Sequence, residues 1–111
     1  MAADRMGTRL RVFLTEDDRL GRHSVCEVLL QRALDLHMAG ATIWRGVEGY
    51  GPSGNVRTIR FPDVSTGLPL VMELIDAPER VEAFLPVVHD LAPGSLVTRE
   101  RVQMVDPAGG D

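Results

Sequence analysis

Apolar and polar residues alternate near the start of the chain. Within 8–14, Leu10, Val12 and Leu14 fall on one face of an extended segment, whereas Phe13 and two arginines fall on the other. A repeat of two residues is typical of a β-strand, because successive side chains of a strand point to opposite sides of the sheet. This segment is therefore predicted to be the first strand, with one apolar face and one mixed face.

A helical spacing of apolar residues follows the acidic turn 16–18. Ser24 and Glu27 have the spacing of a capping box, in which each side chain accepts a hydrogen bond from the other residue's backbone N–H. Apolar residues then recur every three or four positions, which predicts a first helix over 24–38. Gly40 is expected to supply the left-handed residue that ends this helix.

A second helix is predicted between two later strands. Asp76 and Glu79 repeat the capping spacing ahead of another helical stripe, and the pair Pro93–Gly94 marks its end. Pro86 lies within the stripe and cannot donate a backbone hydrogen bond, so a bend is expected there. The three remaining strands are predicted in segments rich in apolar and β-branched residues, at 41–47, 70–75 and 96–105.

The resulting order, βαββαβ, predicts an α+β fold of the ferredoxin-like kind. Its antiparallel four-stranded sheet carries two helices on one face. The chain 1–111 is predicted to be a single domain with an ordered core over about 8–105 and loose ends. The other face of the sheet stays uncovered and carries Phe13, Arg9 and Arg11, a surface suited to contact between subunits.

The segment 48–67 has no regular pattern. Glycines and prolines punctuate it, and these residues favour turns. A loop of this length in a small domain is usually functional or mobile. We expect 52–62 to be mobile without ligand. The alternative is a short hairpin arm that uses 56–61, whose partial alternation permits a strand.

Composition narrows the class of protein. The 111 residues are 44% hydrophobic and 25% charged, which is typical of a folded globular domain. The net charge of −4 argues against nucleic acid as a partner. There is no apolar run of about 20 residues and no secretory signal, so a cytoplasmic location without membrane insertion is expected. All 12 cationic side chains are arginine, so a bound phosphate must be held by guanidinium groups, backbone N–H groups or hydroxyls.

The glycine-rich segment 45–51 is the first candidate for ligand contact. Glycines let backbone N–H groups approach an anion closely, and the arginine adds a charged fork. The tyrosine can stack on a base or pack over its own loop, and the alternative for the glycines is that they only shape a turn. The candidate ligand-binding residues here are Arg45, Gly46, Gly49, Tyr50 and Gly51.

The second candidate is a pair of arginines on the last strand. Arg99 and Arg101 are two residues apart, so they project from the same face of the strand. They could hold a phosphate that is bound at a neighbouring subunit. Solvated charges on an edge strand, or salt bridges between chains, are the alternative. The sequence leaves the two interpretations open.

Residues that usually carry catalysis or bind metals form no recognisable set. The acidic turn 16–18 could hold a divalent cation, but a solvated turn is expected because no ion-loop spacing follows. His23, His37 and His89 lack metal-ligand spacing, and no nucleophile and base can be paired from sequence. Cys26, inside the first predicted helix, is expected to be buried and inert. We therefore expect neither enzyme activity nor a bound metal.

Four segments carry a resemblance to a known family. They are 13–18, 39–51, 68–76 and 94–98, and the resemblance extends over nearly the whole chain. In these segments the sequence resembles the PII-like proteins catalogued as domain of unknown function 190. The resemblance implies a ferredoxin-like homotrimer in which adenine nucleotides occupy clefts between subunits and reposition a long loop. The lysine-containing phosphate loop of PII proteins is shortened here to 91–95 without a lysine, so triphosphate specificity is not implied.

The expected function is that of a PII-like regulatory protein in signal transduction. Its cleft would bring Arg45 and the glycines of 46–51 together with Arg99 and Arg101 of a neighbouring subunit around an adenine nucleotide, with no other cofactor. The loop 48–67 would then contact a partner, such as a membrane transporter or another regulated protein. The alternative is a binding module for another anion or small metabolite, without catalytic activity.

Overall fold

The computed structural model describes residues 4–60 and 67–106. Its elements follow in the order β1 (Arg5–Thr15), β2 (Arg19–Leu20), β3 (His23–Ser24), α1 (Val25–Asp35), β4 (Gly40–Arg45), β5 (Glu48–Gly49), β6 (Arg57–Thr58), β7 (Pro69–Asp76), α2 (Pro78–Leu91) and β8 (Leu96–Met104). Neither helix in this part of the chain has the length and apolar character that crossing a bilayer requires.

The main sheet has four strands in the order β4-β7-β1-β8, and all neighbouring strands are antiparallel. Strands β1 and β7 occupy the centre, while α1 and α2 connect central strands to edge strands. This is the ferredoxin-like βαββαβ arrangement, so the predicted fold class is confirmed. Two small hairpins, β2 with β3 and β5 with β6, are added to it.

The helices cover one face of the sheet and form the core with it. Leu10 and Val12 of β1 and Met72 of β7 are completely buried against the helices. Alternation on the strands and helical spacing on α1 and α2 place these side chains together, as the sequence predicts. The largest other side chains with almost no exposure are Phe84, Leu29, Leu74, Val81, Val88 and Cys26.

The ends of α1 differ from the prediction. Ser24 is the residue before the helix, but its hydroxyl makes no capping hydrogen bond, and Oγ is buried without a partner. The Val25 N–H, which a capping box does not use, donates to the Asp18 carbonyl at 2.8 Å, so main chain satisfies the first N–H of the helix. The helix ends at Asp35, and the left-handed residue after it is His37, with φ of 56°, not Gly40.

The predicted capping box at the start of α2 is also wrong. Asp76 is the last residue of β7, and its carboxylate accepts hydrogen bonds from the Ala77 and Ala39 N–H groups at 2.6 and 2.9 Å and from Arg80 Nε at 3.0 Å. Burial acts to raise the pKa of Asp76, but these hydrogen bonds together with the charge of Arg80 lower it overall. Arg80 also donates to the Leu36 carbonyl at 2.6 Å, so this buried carboxylate joins the end of α1 to the start of α2.

The other face of the sheet has no helix over it. One row across the four strands is apolar and consists of Trp44, Val71, Phe13 and Leu96. Trp44 and Leu96 are more than half exposed, and Phe13 is 38% exposed. In the next rows, Arg11 Nε donates to Glu73 at 2.8 Å, and Arg9 Nε donates to Glu100 at 2.9 Å. The predicted mixed face is therefore observed.

Candidate ligand-binding cleft

The segment after β4 forms an arm, here defined as residues 46–60. Strands β5 and β6 pair at its base, and the Ile59 N–H donates to the Val47 carbonyl at 3.0 Å. The hairpin alternative is thus observed for the base of the arm, although its second strand is only Arg57–Thr58. Residues 61–66, which include the end of the expected 56–61 strand, lie outside the described residues. Mobility of 52–62 stays a prediction.

Polar bonds hold the base of the arm together. Thr58 is buried, and its hydroxyl donates to Glu48 at 2.9 Å. Arg60 Nη2 donates to the other oxygen of the same carboxylate, also at 2.9 Å. The stability of the arm's base therefore depends on side-chain hydrogen bonds and an ion pair, and less on apolar burial than that of the main sheet.

The acidic turn 16–18 contacts both the arm and the start of β7. Asp17 accepts a hydrogen bond from Arg57 Nη1 at 2.7 Å. Glu16 accepts one from the Leu68 N–H at 2.9 Å, and its other oxygen lies 3.2 Å from Arg45 Nε. The turn is largely exposed, as expected of a solvated turn, but its carboxylates are engaged by protein groups.

A cleft of about 430 Å³ lies between the arm, the acidic turn and the turn that joins α2 to β8. Its lining combines one aromatic side chain of the arm, one arginine, two carboxylates, backbone at glycine positions, and the apolar end of the uncovered sheet face. The residues used below are Phe13, Asp17, Tyr50, Arg57, Gly94 and Ser95.

The turn after α2 supplies backbone to this cleft. Gly94 has φ of 81°, a conformation that residues with a Cβ rarely adopt, and the Ser95 N–H donates to the Ala92 carbonyl at 3.2 Å. This is the shortened loop that the sequence places between the second helix and the last strand. Gly94 and Ser95 line the cleft, but they were not among the predicted ligand-binding residues.

The predicted residues of the arm divide into two groups. Gly49, Tyr50 and Gly51 line the cleft. Gly46 instead packs on Pro69: its N–H donates to the Pro69 carbonyl at 2.7 Å, and a Cβ there would lie 3.1 Å from Pro69 Cβ. A Cβ at Gly49 would also lie close to Pro69, at 3.2 Å, so this glycine serves the packing of the arm as well as lining the cleft.

The predicted arginines lie away from the cleft of their own chain. Arg45 lines a smaller cavity of about 350 Å³ with Glu16, next to the start of α1. Arg99 and Arg101 share the helix-covered side of β8, as predicted, and Arg99 forms an ion pair with Glu82 of α2. Both side chains on β8 are exposed at the edge of the sheet, and neither lines the described cleft.

Two contributors to the cleft were missed by sequence reasoning. Arg57 and Asp17 are 40 positions apart and meet only because the arm folds back beside the acidic turn. One signal was present: Arg57 is a cationic residue within a glycine-rich loop, and an arginine in such a loop is a candidate for anion contact.

Metal-binding and thiol chemistry find no support in the described residues. No group of three or more His, Cys, Asp or Glu side chains there could hold a metal ion. Cys26 is fully buried, as predicted, and burial raises the pKa of its thiol to about 12, with smaller contributions from Glu27 and Asp18. A thiol in this state is a poor nucleophile, because the thiolate is the reactive form.

Solved structures with the same fold are PII-like proteins. CPII from Thiomonas intermedia K12, bound to ADP and bicarbonate, aligns with a TM-score of 0.63 and 18% identity over 96% of this chain and 95% of the other. The apo form of CPII aligns with a TM-score of 0.59 and 16% identity over 95% and 98% of the two chains. The fold of the present chain is therefore PII-like.

Sequence comparison identifies the family. The model described as "Uncharacterized ACR, COG1993", domain of unknown function 190, matches residues 7–104. A UPF0166 protein of Aquifex aeolicus (strain VF5) is 32% identical over 96 residues, which cover 86% of this chain and 90% of the relative. A UPF0166 protein of Methanocaldococcus jannaschii is 26% identical over 82 residues, or 74% and 75% of the two chains. The chain belongs to the domain of unknown function 190 family.

Proposed function

We propose that this protein is a PII-like regulator that binds an adenine nucleotide in clefts between subunits and signals through the segment 48–67. The observation that carries the proposal is the cleft itself, in which Tyr50 of the arm and Arg57 lie near the turn at Gly94. An exposed aromatic ring can stack on a base, and guanidinium and backbone N–H groups suit a phosphate. CPII, which has the same fold, binds ADP, AMP and bicarbonate.

Assembly into a homotrimer is part of the proposal. The row Trp44, Val71, Phe13 and Leu96 exposes apolar surface on the uncovered face of the sheet, and a two-layer domain needs a partner to bury such a face. Arg99 and Arg101 would then reach the ligand from the neighbouring subunit. Light scattering tests this directly: a monomer mass at micromolar concentration would rule the trimer out.

Titration calorimetry tests ligand binding. The wild-type protein is titrated with ADP, AMP, ATP and bicarbonate, and we expect binding of at least one adenine nucleotide. Arg57→Ala and Arg101→Ala should each weaken that binding about tenfold to a hundredfold, the effect of losing one charge-assisted hydrogen bond. Arg32→Ala, which removes an arginine near the end of α1, is the matched control and should bind as wild type.

Gly49→Val tests a different feature of the same cleft. A valine at this position would crowd Pro69, where even a Cβ would lie 3.2 Å from Cγ, and we expect it to shift the arm relative to the cleft. We expect weaker nucleotide binding with unchanged subunit assembly. If this variant and both arginine variants bind as tightly as wild type, the assigned cleft is not the binding site.

Binding of another small oxyanion is the second candidate function. It is favoured by the bicarbonate bound to CPII and by the single arginine in the described lining of the cleft. Calorimetry that detects bicarbonate but no nucleotide would select it. In both cases we propose a regulatory role without catalysis, which is supported by the PII-like fold.

The protein partner is proposed by class only. The tip and base of the arm expose Val47, Tyr50, Val56 and Ile59, and exposed apolar side chains on a projecting segment suit contact with another protein. We propose that a membrane transporter or another regulated protein binds here in the cytoplasm. The corresponding test is crosslinking from the arm in cells, carried out with the wild-type protein and with the variants that are expected to weaken ligand binding.

A further inference from the structure

We propose that Asp17 is a built-in competitor of the ligand: its carboxylate holds Arg57, and the phosphate of a bound adenine nucleotide takes its place. The inference rests on the nucleotide binding proposed above and assigns a regulation to that same site. It concerns an ion pair at the wall of the cleft, between the acidic turn and strand β6.

The charges in the cleft favour competition. Among the described lining residues, Arg57 is the one cationic side chain, whereas Asp17 and Asp18 are both acidic. An anion that enters meets a guanidinium whose Nη1 already donates to Asp17 at 2.7 Å. A phosphate and a carboxylate draw on the same guanidinium charge and donors, so Asp17 and an entering phosphate compete for Arg57.

The backbone is shaped to accommodate this pair. Gly67 has φ of 69°, and a Cβ at this position would lie 2.2 Å from Asp17 Oδ2 and 2.8 Å from Arg57 Nη1. Any larger residue would collide with both partners. The acidic turn, the arm and the segment before β7 therefore meet at one ion pair, and the glycine leaves room for it.

The neighbouring carboxylate has a different task. Asp18 accepts hydrogen bonds from the Thr15 N–H at 2.7 Å and from the Thr15 hydroxyl at 3.3 Å, so it holds the shape of the turn. The Asp17 N–H donates to the same hydroxyl at 3.2 Å, which fixes the backbone of Asp17 independently of its side chain. The Asp17 carboxylate can therefore leave Arg57 without unfolding the turn.

The exchange couples ligand binding to the arm. Arg57 belongs to β6, which pairs with β5 at the base of the arm, while Asp17 belongs to the turn after β1. When phosphate replaces the carboxylate, β6 loses a bond to the turn after β1 and gains one to the ligand. Occupancy of the cleft thereby changes what anchors the arm, and the ion pair and ligand binding oppose each other.

The experiment compares ADP with adenosine, which has the same base and sugar but no phosphate. In calorimetric titrations, Asp17→Asn should raise the affinity for ADP about fivefold, the factor that corresponds to breaking an exposed ion pair, and leave adenosine binding unchanged. Asp35→Asn removes the same charge from α1, where Gln31 donates to it at 2.9 Å, and serves as the matched control. It should bind both molecules as wild type does.

A double-mutant cycle separates competition from simple repulsion by the Asp17 charge. Arg57→Gln should weaken ADP binding about tenfold or more. In that background, Asp17→Asn should give no further gain, because the carboxylate has no guanidinium left to occupy. A fivefold gain that persists without Arg57 would overturn the competition. Should Arg57→Gln fail to fold, Arg57→Met, which keeps an apolar stem but has no cationic group, replaces it in the cycle.

The outcomes also distinguish this inference from the proposed function. If wild type binds ADP and Asp17→Asn binds it equally well, nucleotide binding stands and the competition is overturned. If neither protein binds ADP, the proposed function fails and the competition fails with it. ADP binding by Asp17→Asn alone would support the competition in its strongest form.

Discussion

The two faces of the main sheet are built from the same strands but have opposite properties. On β1, Leu10 and Val12 are completely buried under the helices, while their neighbours Arg9, Arg11 and Phe13 lie on the uncovered face. The covered face is uniformly apolar at its centre. The uncovered face alternates an apolar row with rows of ion pairs. One face thus specifies the fold of the subunit, and the other is available for assembly.

The largest effect is expected from the covered face. Phe84 of α2 is 1% exposed, so Phe84→Ala removes a full aromatic side chain from a closed core and leaves a cavity. We expect a loss of about 3–5 kcal/mol in the free energy of unfolding, measured by urea denaturation. Leu34→Ala, on an exposed part of α1, should cost less than about 0.5 kcal/mol. Similar losses in the two variants would contradict the division between core and surface.

A change of assembly without unfolding is expected from the uncovered face. Phe13→Glu places a charge in the apolar row that we propose to be covered by a neighbouring subunit. The side chain already has solvent access in the isolated subunit, so circular dichroism should retain the native signal. Light scattering should show a mass about one third that of the wild-type trimer. An unchanged trimer would mean that this row is not the interface.

A loss of stability that is intermediate in size and depends on pH is expected from substitution of Asp76, the last residue of β7. Because the folded-state pKa of Asp76 is lowered, its ionised form stabilises the fold above about pH 4, and this contribution disappears as the pH falls through the folded-state pKa. Asp76→Asn should lose about 2 kcal/mol at pH 7, the effect of weakening hydrogen bonds to a charged group. The difference from wild type should shrink in acid, and a constant difference from pH 7 to pH 2 would argue against this assignment.

The smallest effect is expected from the ion pairs of the uncovered face. Glu73→Gln keeps an oxygen that can accept the hydrogen bond from Arg11 Nε but removes the charge. In a subunit kept monomeric by Phe13→Glu, we expect a loss of at most about 1 kcal/mol. The same substitution in the trimer background measures what assembly adds to this pair. Equal losses in both backgrounds would mean that assembly does not bury it further.

The sequence predicted the two faces because strand alternation is a local property. The order of elements and the assignment of Leu10 or Phe13 to a face depend only on spacing along the chain, and both are confirmed. The helix ends were less accessible. The pair Ser24 and Glu27 has the right spacing, but the Ser24 hydroxyl makes no capping hydrogen bond, and the Asp18 carbonyl, six residues before Ser24, accepts from the Val25 N–H. Spacing alone does not reveal that β2 and β3 bring this carbonyl back to the helix.

The residues of the cleft were predicted only where they lie close together in the sequence. Gly49, Tyr50 and Gly51 were found because they stand together in a glycine-rich segment. Arg57 and Asp17 were missed because their proximity is produced by tertiary structure. The role of Gly67 was missed as well. Only the position of the ion pair shows that a Cβ at this residue would collide with it.

The buried thiol has a practical consequence for following the arm. Cys26 is the chain's single cysteine, it is fully enclosed, and burial raises the pKa of its thiol to about 12. Maleimide and iodoacetamide reagents react with the thiolate and need access to it, so the native protein should remain unlabelled. A cysteine introduced at the exposed position of Val56 can then carry a fluorophore or spin label at one defined place, with Cys26 left in the core that it helps to fill.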